Sequence, residues 1–262
     1  MTNCEISEGP AATPAFCLLA RASQQDVCNF LCGSNVLLVW QASRSVKNQE
    51  SGVYRKADEP RGLLVRFCLL ASVFVPIFYF GAQLAALPFF PGYSVARDAA
   101  SVLGTADSRH PWIFNLGAIL TGAAALCGAL GLAAAFRRIT NILLAALIAV
   151  SVAATGVMSI KAGIFPMPDP RHATWGFLTW LTIATPLLFL LGVWNQRGGT
   201  AVRICLVAST LLIVLLLPFL MGRISTPLLQ PGTVQRMLAL AAFLPVGVVG
   251  FYLAKTVPRP HQ

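Results

Sequence analysis

Asp98, Asp107 and Asp169 are the only carboxylates after Glu59, and His110 and His172 are two of the three histidines. Carboxylate and imidazole side chains brought together can hold a divalent cation or activate water. Asp169 and His172 stand three residues apart, and Asp98 and His110 lie in an earlier loop of the same kind. If the two loops converge, Asp98, Asp169 and His172 are the candidate catalytic set, with Asp169 and His172 the candidate metal ligands. A blander reading outweighs this one. Asp169 precedes Pro170, which suits a turn, and a histidine near a helix start is commonly a solvated cap. No metal and no cofactor are therefore expected.

The first of these loops carries further polar groups suited to holding a ligand. Tyr93, Ser94, Arg97, Ser101 and Asn115 are the candidate binding residues. Ser94 and the spacing of Val95, Ala99 and Val102 predict a short surface helix over 94–103, capped by Ser94 and ended by Gly104. In the second loop three prolines fall within Pro166-Met-Pro-Asp-Pro170. They predict a stiff, non-helical stretch that restarts as helix near His172. Elsewhere the sequence has no Gly-x-Ser-x-Gly elbow, no His-Glu-x-x-His pair and no phosphate-cradling loop.

Most of the chain exists to position those loops. It is 56% hydrophobic and only 11% charged, against roughly a quarter charged in a soluble domain. Six apolar stretches have spanning length, near 63–87, 112–136, 139–160, 173–194, 204–221 and 237–253, the last being the shortest. Each is long enough to cross a hydrocarbon core of about 30 Å, and in lipid such stretches must be helices. The predicted fold class is all-α, a polytopic transmembrane helical bundle filling 62–255. Residues 1–61 precede it as a polar, weakly ordered tail, and 256–262 follow as a short one. A start codon assigned too far upstream explains the long tail equally well.

Arg66 apart, no span contains Asp, Glu, Lys, Arg or His. Ion-coupled carriers need such groups at membrane depth, so that class is disfavoured. The net charge of +10 comes from bases flanking the spans, above all Arg44, Lys47, Arg55, Lys56 and Arg61 beside the first. Such a cluster places both termini in the cytoplasm and lets the bases meet anionic lipid head groups. No basic stripe with interleaved aromatics is present, so no nucleic-acid partner is expected.

Cys68, Cys127 and Cys205 lie in spans, where cysteine usually packs as a small hydrophobe. Cys4, Cys17, Cys28 and Cys32 belong to the tail; Cys28 and Cys32 lack a nearby histidine for zinc. With no cysteine in an outer loop, no structural disulfide is expected. In the second span Ala118/Gly122 and Ala124/Gly128 have the four-residue spacing of close helix approach, read as packing within the chain rather than dimerisation. Pro76, Pro186, Pro218 and Pro245 should kink their spans. Val27–Trp40 is too short to span and reads as interfacial or weakly ordered.

Three stretches carry a family likeness: Pro91-Gly-Tyr-Ser94, Ser101-Val-Leu-Gly104 and Pro111-Trp-Ile-Phe-Asn115. With Gly163-Ile-Phe-Pro166, Asp169 and His172, the chain from Arg66 to Arg259 resembles the family called domain of unknown function 998. The resemblance implies a multi-pass protein, largely of bacterial inner membranes, with no established activity. It also carries a looser likeness to eukaryotic six-helix proteins tied to lipid regulation and autophagy. The long cysteine-bearing tail and the single histidine after Asp169 depart from the family pattern. The leading expectation is a non-enzymatic protein whose outer vestibule binds a small molecule, lipid head group or partner. The alternatives are a membrane-embedded metal-assisted hydrolase on that face, or a passive permeation path.

Overall fold

The computed structural model describes residues 62–172, 176–196, 198–224, 226 and 229–256. The expectations for the tail and for 257–262 lie outside the described residues. All of the architecture below belongs to the unit Glu59–Gln262.

Six helices are long and apolar enough to cross a membrane, and the described residues include no strand beyond one isolated Thr226–Leu229 bridge. They are α1 (Gly62–Phe89), α2 (Pro111–Phe136), α3 (Ile142–Ile164), α4 (Gly176–Val193), α5 (Thr200–Leu220) and α6 (Pro231–Thr256). The number of spans agrees with the expectation, but several ends move. α3 starts at Ile142 because Asn141 caps it, its side chain accepting from the Leu144 N–H at 2.8 Å. It ends at Ile164, so Lys161 lies in a helical last turn rather than a loop. α5 begins at Thr200, which brings Arg203 inside the helix.

The largest correction concerns α6. Expected from 237 and shortest, it has 26 residues and starts at Pro231. Hydropathy misses its first turn because Thr233, Gln235 and Arg236 are polar. A proline at the first helical position needs no N–H partner and has its φ already set.

Neighbouring helices pack in sequence order, and α6 closes the bundle by touching α1, α2 and α4 as well as α5. α2 and α6 are the most enclosed: 56% of each one's apolar window is buried, against 22–39% for the others. One apolar core runs through Leu69, Leu132, Phe136, Ile148, Phe189, Leu206 and Val249, drawing on all six helices. Within it the Phe136 and Phe189 rings stack at 5.9 Å. A second, smaller core of Ala86, Leu103 and Phe114 lies where α1 and α2 meet their connecting loop.

Glycine sets the closest helix crossings. Gly122 of α2 lies on the Gly156 carbonyl of α3, and Gly131 lies against the α1 backbone at Cys68–Leu69. Ser72 of α1 is held between Gly128 of α2 and Gly250 of α6. The small-residue spacing in α2 thus serves packing within the chain, as expected. α1 itself is interrupted at Ser72 and Val73, where N–H groups reach back three residues, Ser72 to Leu69 at 3.2 Å and Val75 to Ser72 at 3.2 Å. Pro76 accounts for this, since it has no N–H for the Ser72 carbonyl and its ring crowds the turn before it.

Candidate functional site

The connections after α1, α3 and α5 lie at one end of the bundle, here called the cap end; those after α2 and α4 lie at the other. All three described carboxylates are on the cap end. The α1–α2 connection is its largest part. The surface helix expected over Ser94–Leu103 is not formed. Instead 94–98 is a turn, closed by the Asp98 N–H to the Ser94 carbonyl at 2.8 Å, and only Ala100–Gly104 is helical, as a short 3-10 turn. The Asp98 carboxylate accepts from the Ser94 N–H at 2.8 Å, and the Ser94 hydroxyl accepts from the Arg97 N–H at 3.3 Å. This reciprocal pairing resembles a helix capping box, and here it closes a single turn.

The Asp98 carboxylate also pairs with the Arg97 guanidinium at 3.0 Å. That hydrogen bond, followed by the Ser94 N–H, holds the carboxyl below its usual range. Tyr93 lies under the turn. Its hydroxyl donates to the Ala99 carbonyl at 3.0 Å and accepts from the Arg236 guanidinium. Burial pushes the Tyr93 phenol up, outweighing the opposing pull of Arg236.

Arg236 of α6 organises this region, and sequence reasoning missed it. Its Nη1 donates to the carbonyls of Val95 at 2.7 Å, Asp98 at 3.0 Å and Gly232 at 2.9 Å. One turn earlier the Thr233 N–H, an otherwise orphaned donor of the α6 first turn, finds the Ala96 carbonyl at 2.9 Å. Gln235 accepts from the Ala100 N–H at 2.8 Å. A Cβ on Gly232 would come within 2.8 Å of the Ala96 oxygen, so only glycine allows this approach. The signal in the sequence was Pro231-Gly232 at a helix start, followed by an arginine just before the apolar stretch.

The second loop is self-contained. Asp169 pairs with Arg171 at 2.6 Å and accepts from the Arg171 N–H at 2.8 Å. Arg171 in turn lies 4.0 Å over the Phe165 ring. Residues Pro170–His172 form a 3-10 turn, and the His172 Nδ1 meets the Phe165 carbonyl at 2.8 Å. Arg171, by its side chain first and its N–H second, holds the Asp169 carboxyl down to about 2. Such a carboxylate stays ionised throughout the physiological range and does not serve as a proton donor there. In a carboxyl-carbon NMR titration Asp169 should titrate near 2. Replacing Arg171 with Gln should move that midpoint up toward the ordinary carboxylate range.

The convergence of Asp98, His110, Asp169 and His172 that a metal or catalytic site would require is not found among the described residues. Among the described residues no three His, Cys, Asp or Glu side chains group as metal ligands would. His110 stands edge-on to Phe89, with centroids 4.7 Å apart. Asp98 and Asp169 are each paired with an arginine of their own loop, and His172 meets the Phe165 carbonyl. The loops do meet, through uncharged atoms: the Ser101 hydroxyl reaches the Met167 sulphur at 3.2 Å. Beside that contact Asn115 donates to the Gly104 carbonyl at 3.0 Å, and its backbone is crossed closely by Gly163 of α3. The Asn115 Oδ1 is buried and has no partner among the described residues. Of the candidate binding residues, Ser101 and Asn115 thus gather at one place, whereas Tyr93, Ser94 and Arg97 maintain the neighbouring turn.

No curated protein and no solved structure matches the chain. The family model described as a protein of unknown function (DUF998) matches residues 72–252. That stretch takes in all of α2 to α5 and most of α1 and α6, together with the loops of the cap end. The chain is a multi-pass membrane protein belonging to the DUF998 family.

Proposed function

We propose that this protein is a non-enzymatic receptor-like membrane protein that binds a small molecule, a lipid head group or a partner at the cap end. One observation carries the reading: the buried, unpartnered Oδ1 of Asn115 where the two loops meet. The orientation of that amide is fixed, because its nitrogen already serves the Gly104 carbonyl. A buried acceptor without a donor costs about 1–3 kcal/mol. A hydroxyl or ammonium group arriving from outside the bundle would recover that cost. The apolar core shared by all six helices counts against a permeation path, and the arginine partners of Asp169 and Asp98 count against metal chemistry at those two carboxylates.

The basic cluster beside the first span supports a cap end facing away from the cytoplasm, in the plasma membrane. Arg137, Arg138, Arg203 and Lys255 then meet anionic head groups at the opposite end, where no acid lies among the described residues.

Thermal-shift measurements on the detergent-purified chain, with a panel of polyols, amines and lipid head groups, test the binding reading. At least one compound bearing a hydroxyl or ammonium donor should raise the unfolding temperature of the wild type. The same compound should fail with Asn115→Leu and lose effect with Ser101→Ala. If no compound stabilises the protein, or if stabilisation persists in Asn115→Leu, the reading is wrong.

A further inference from the structure

Cys68 of α1 and Cys127 of α2 face each other across the helix crossing with their sulphurs 3.6 Å apart, both as free thiols. Sequence alone gives each the character of a small packing residue and no sign that they meet. We propose that they form a membrane-embedded dithiol that a lipid-soluble quinone oxidises to a disulfide.

Three features of the crossing support this. First, a disulfide has an S–S length of about 2.05 Å, so the two sulphurs need to close by about 1.5 Å. Rotation about the side-chain bonds supplies displacements of that size. Second, the backbones are already close. Gly131 lies one turn beyond Cys127, and a Cβ there would stand 2.9 Å from the Cys68 carbonyl carbon. Third, the surroundings select the oxidant. Cys68 is buried, and Cys127 is half-buried on α2 beside Leu130, which is 70% exposed on the surface that meets lipid. Water-soluble oxidants are excluded from that depth, while a quinone ring dissolves in it.

The step balances without further reagents. Each thiol gives up its proton and the two sulphurs join, releasing two electrons and two protons. The quinone takes both electrons on its ring and both protons on its oxygens, leaving as the quinol. The product links α1 to α2 at the level of the Ser72 interruption, so oxidation would stiffen the part of α1 that its own hydrogen bonds leave weakest.

The test uses the full chain in nanodiscs, kept anaerobic and mixed with a short-chain ubiquinone, then denatured, alkylated and digested with trypsin. Peptides Phe67–Arg97 and His110–Arg137 should appear linked and be released by reductant, with one quinol formed per link. Cys68→Ser and Cys127→Ser should each abolish both the link and the quinol, and Cys68→Ala covers the case in which the serine variant fails to fold. Cys205→Ser, and a variant with Cys4, Cys17, Cys28 and Cys32 all changed to Ser, should leave the yield unchanged. If the thiols stay alkylated under quinone but link under copper phenanthroline, the pair can close and the quinone assignment falls. If they stay alkylated under both reagents, the dithiol is only a packing contact and the whole proposal falls.

Discussion

Replacing Arg236 with Leu should free residues 93–100 from the start of α6 and lower the stability of the bundle by about 2–3 kcal/mol. The magnitude follows from what the guanidinium holds. It donates to the carbonyls of Val95 and Asp98 in the loop and to Gly232 in its own helix, and also to the Tyr93 hydroxyl. Hydrogen bonds to a charged group contribute about 1.5–3 kcal/mol, and a half-buried carbonyl left without its donor adds to the loss. The loss is not the sum of four bonds, because the freed loop can rearrange and meet water. Hydrogen exchange should therefore change locally, with amides of 93–100 losing protection while the middles of α2 and α3 keep theirs. Arg236→Lys should recover only part of the effect, since an ammonium group cannot span three carbonyls and a phenol as the planar fork does. Unchanged exchange in 93–100 in the Leu variant would show that Gln235 and Thr233 suffice to hold the loop.

That arginine also marks where sequence reading stopped. The spans were legible because lipid leaves the chain one option: a stretch of about 20 apolar residues must satisfy its own backbone hydrogen bonds as helix. Helix ends were not, because polar residues set them through contacts that hydropathy cannot see. Asn141 shortens α3 at its start by capping, and Thr233, Gln235 and Arg236 extend α6 through partners in a loop 135 or more residues earlier. The cap end was read by residue type, which drew attention to Asp98, Asp169 and His172. Each of these is engaged within a few residues of itself, by Arg97, Arg171 and the Phe165 carbonyl. Local geometry of that kind outcompetes long-range convergence, since it orders less chain. Ser101 and Asn115 were named in the sequence, but nothing in it distinguished their roles from those of Tyr93 and Arg97. The Ser101–Met167 contact and the close passage of Gly163 over the Asn115 backbone depend on how α2 and α3 cross.

That crossing is where the largest loss from a single added side chain is expected. Gly122→Val should destabilise the protein by about 3 kcal/mol, the upper end of the usual cost of overpacking. At Gly104 or Gly192 an added methyl would first meet side-chain atoms. At Gly122 it meets the Gly156 carbonyl oxygen, and it comes within 2.9 Å of the Ile160 nitrogen. Both are backbone atoms of α3, so relief requires moving the whole helix, and α3 carries Ile148 and Val152 into the common core. Separation of α2 from α3 would also pull Gly163 off the Asn115 backbone and disturb the meeting of the two loops. The variant should unfold at a lower temperature in detergent, by circular dichroism or by loss of the monodisperse peak on size exclusion. Gly81→Ala is the matched control. It lies in α1 with nothing within 4 Å of the added methyl, so lower backbone entropy in the unfolded chain should leave it neutral or slightly stabilised. Equal effects from the two substitutions would mean that glycine matters here for chain flexibility and not for the close approach of α2 and α3.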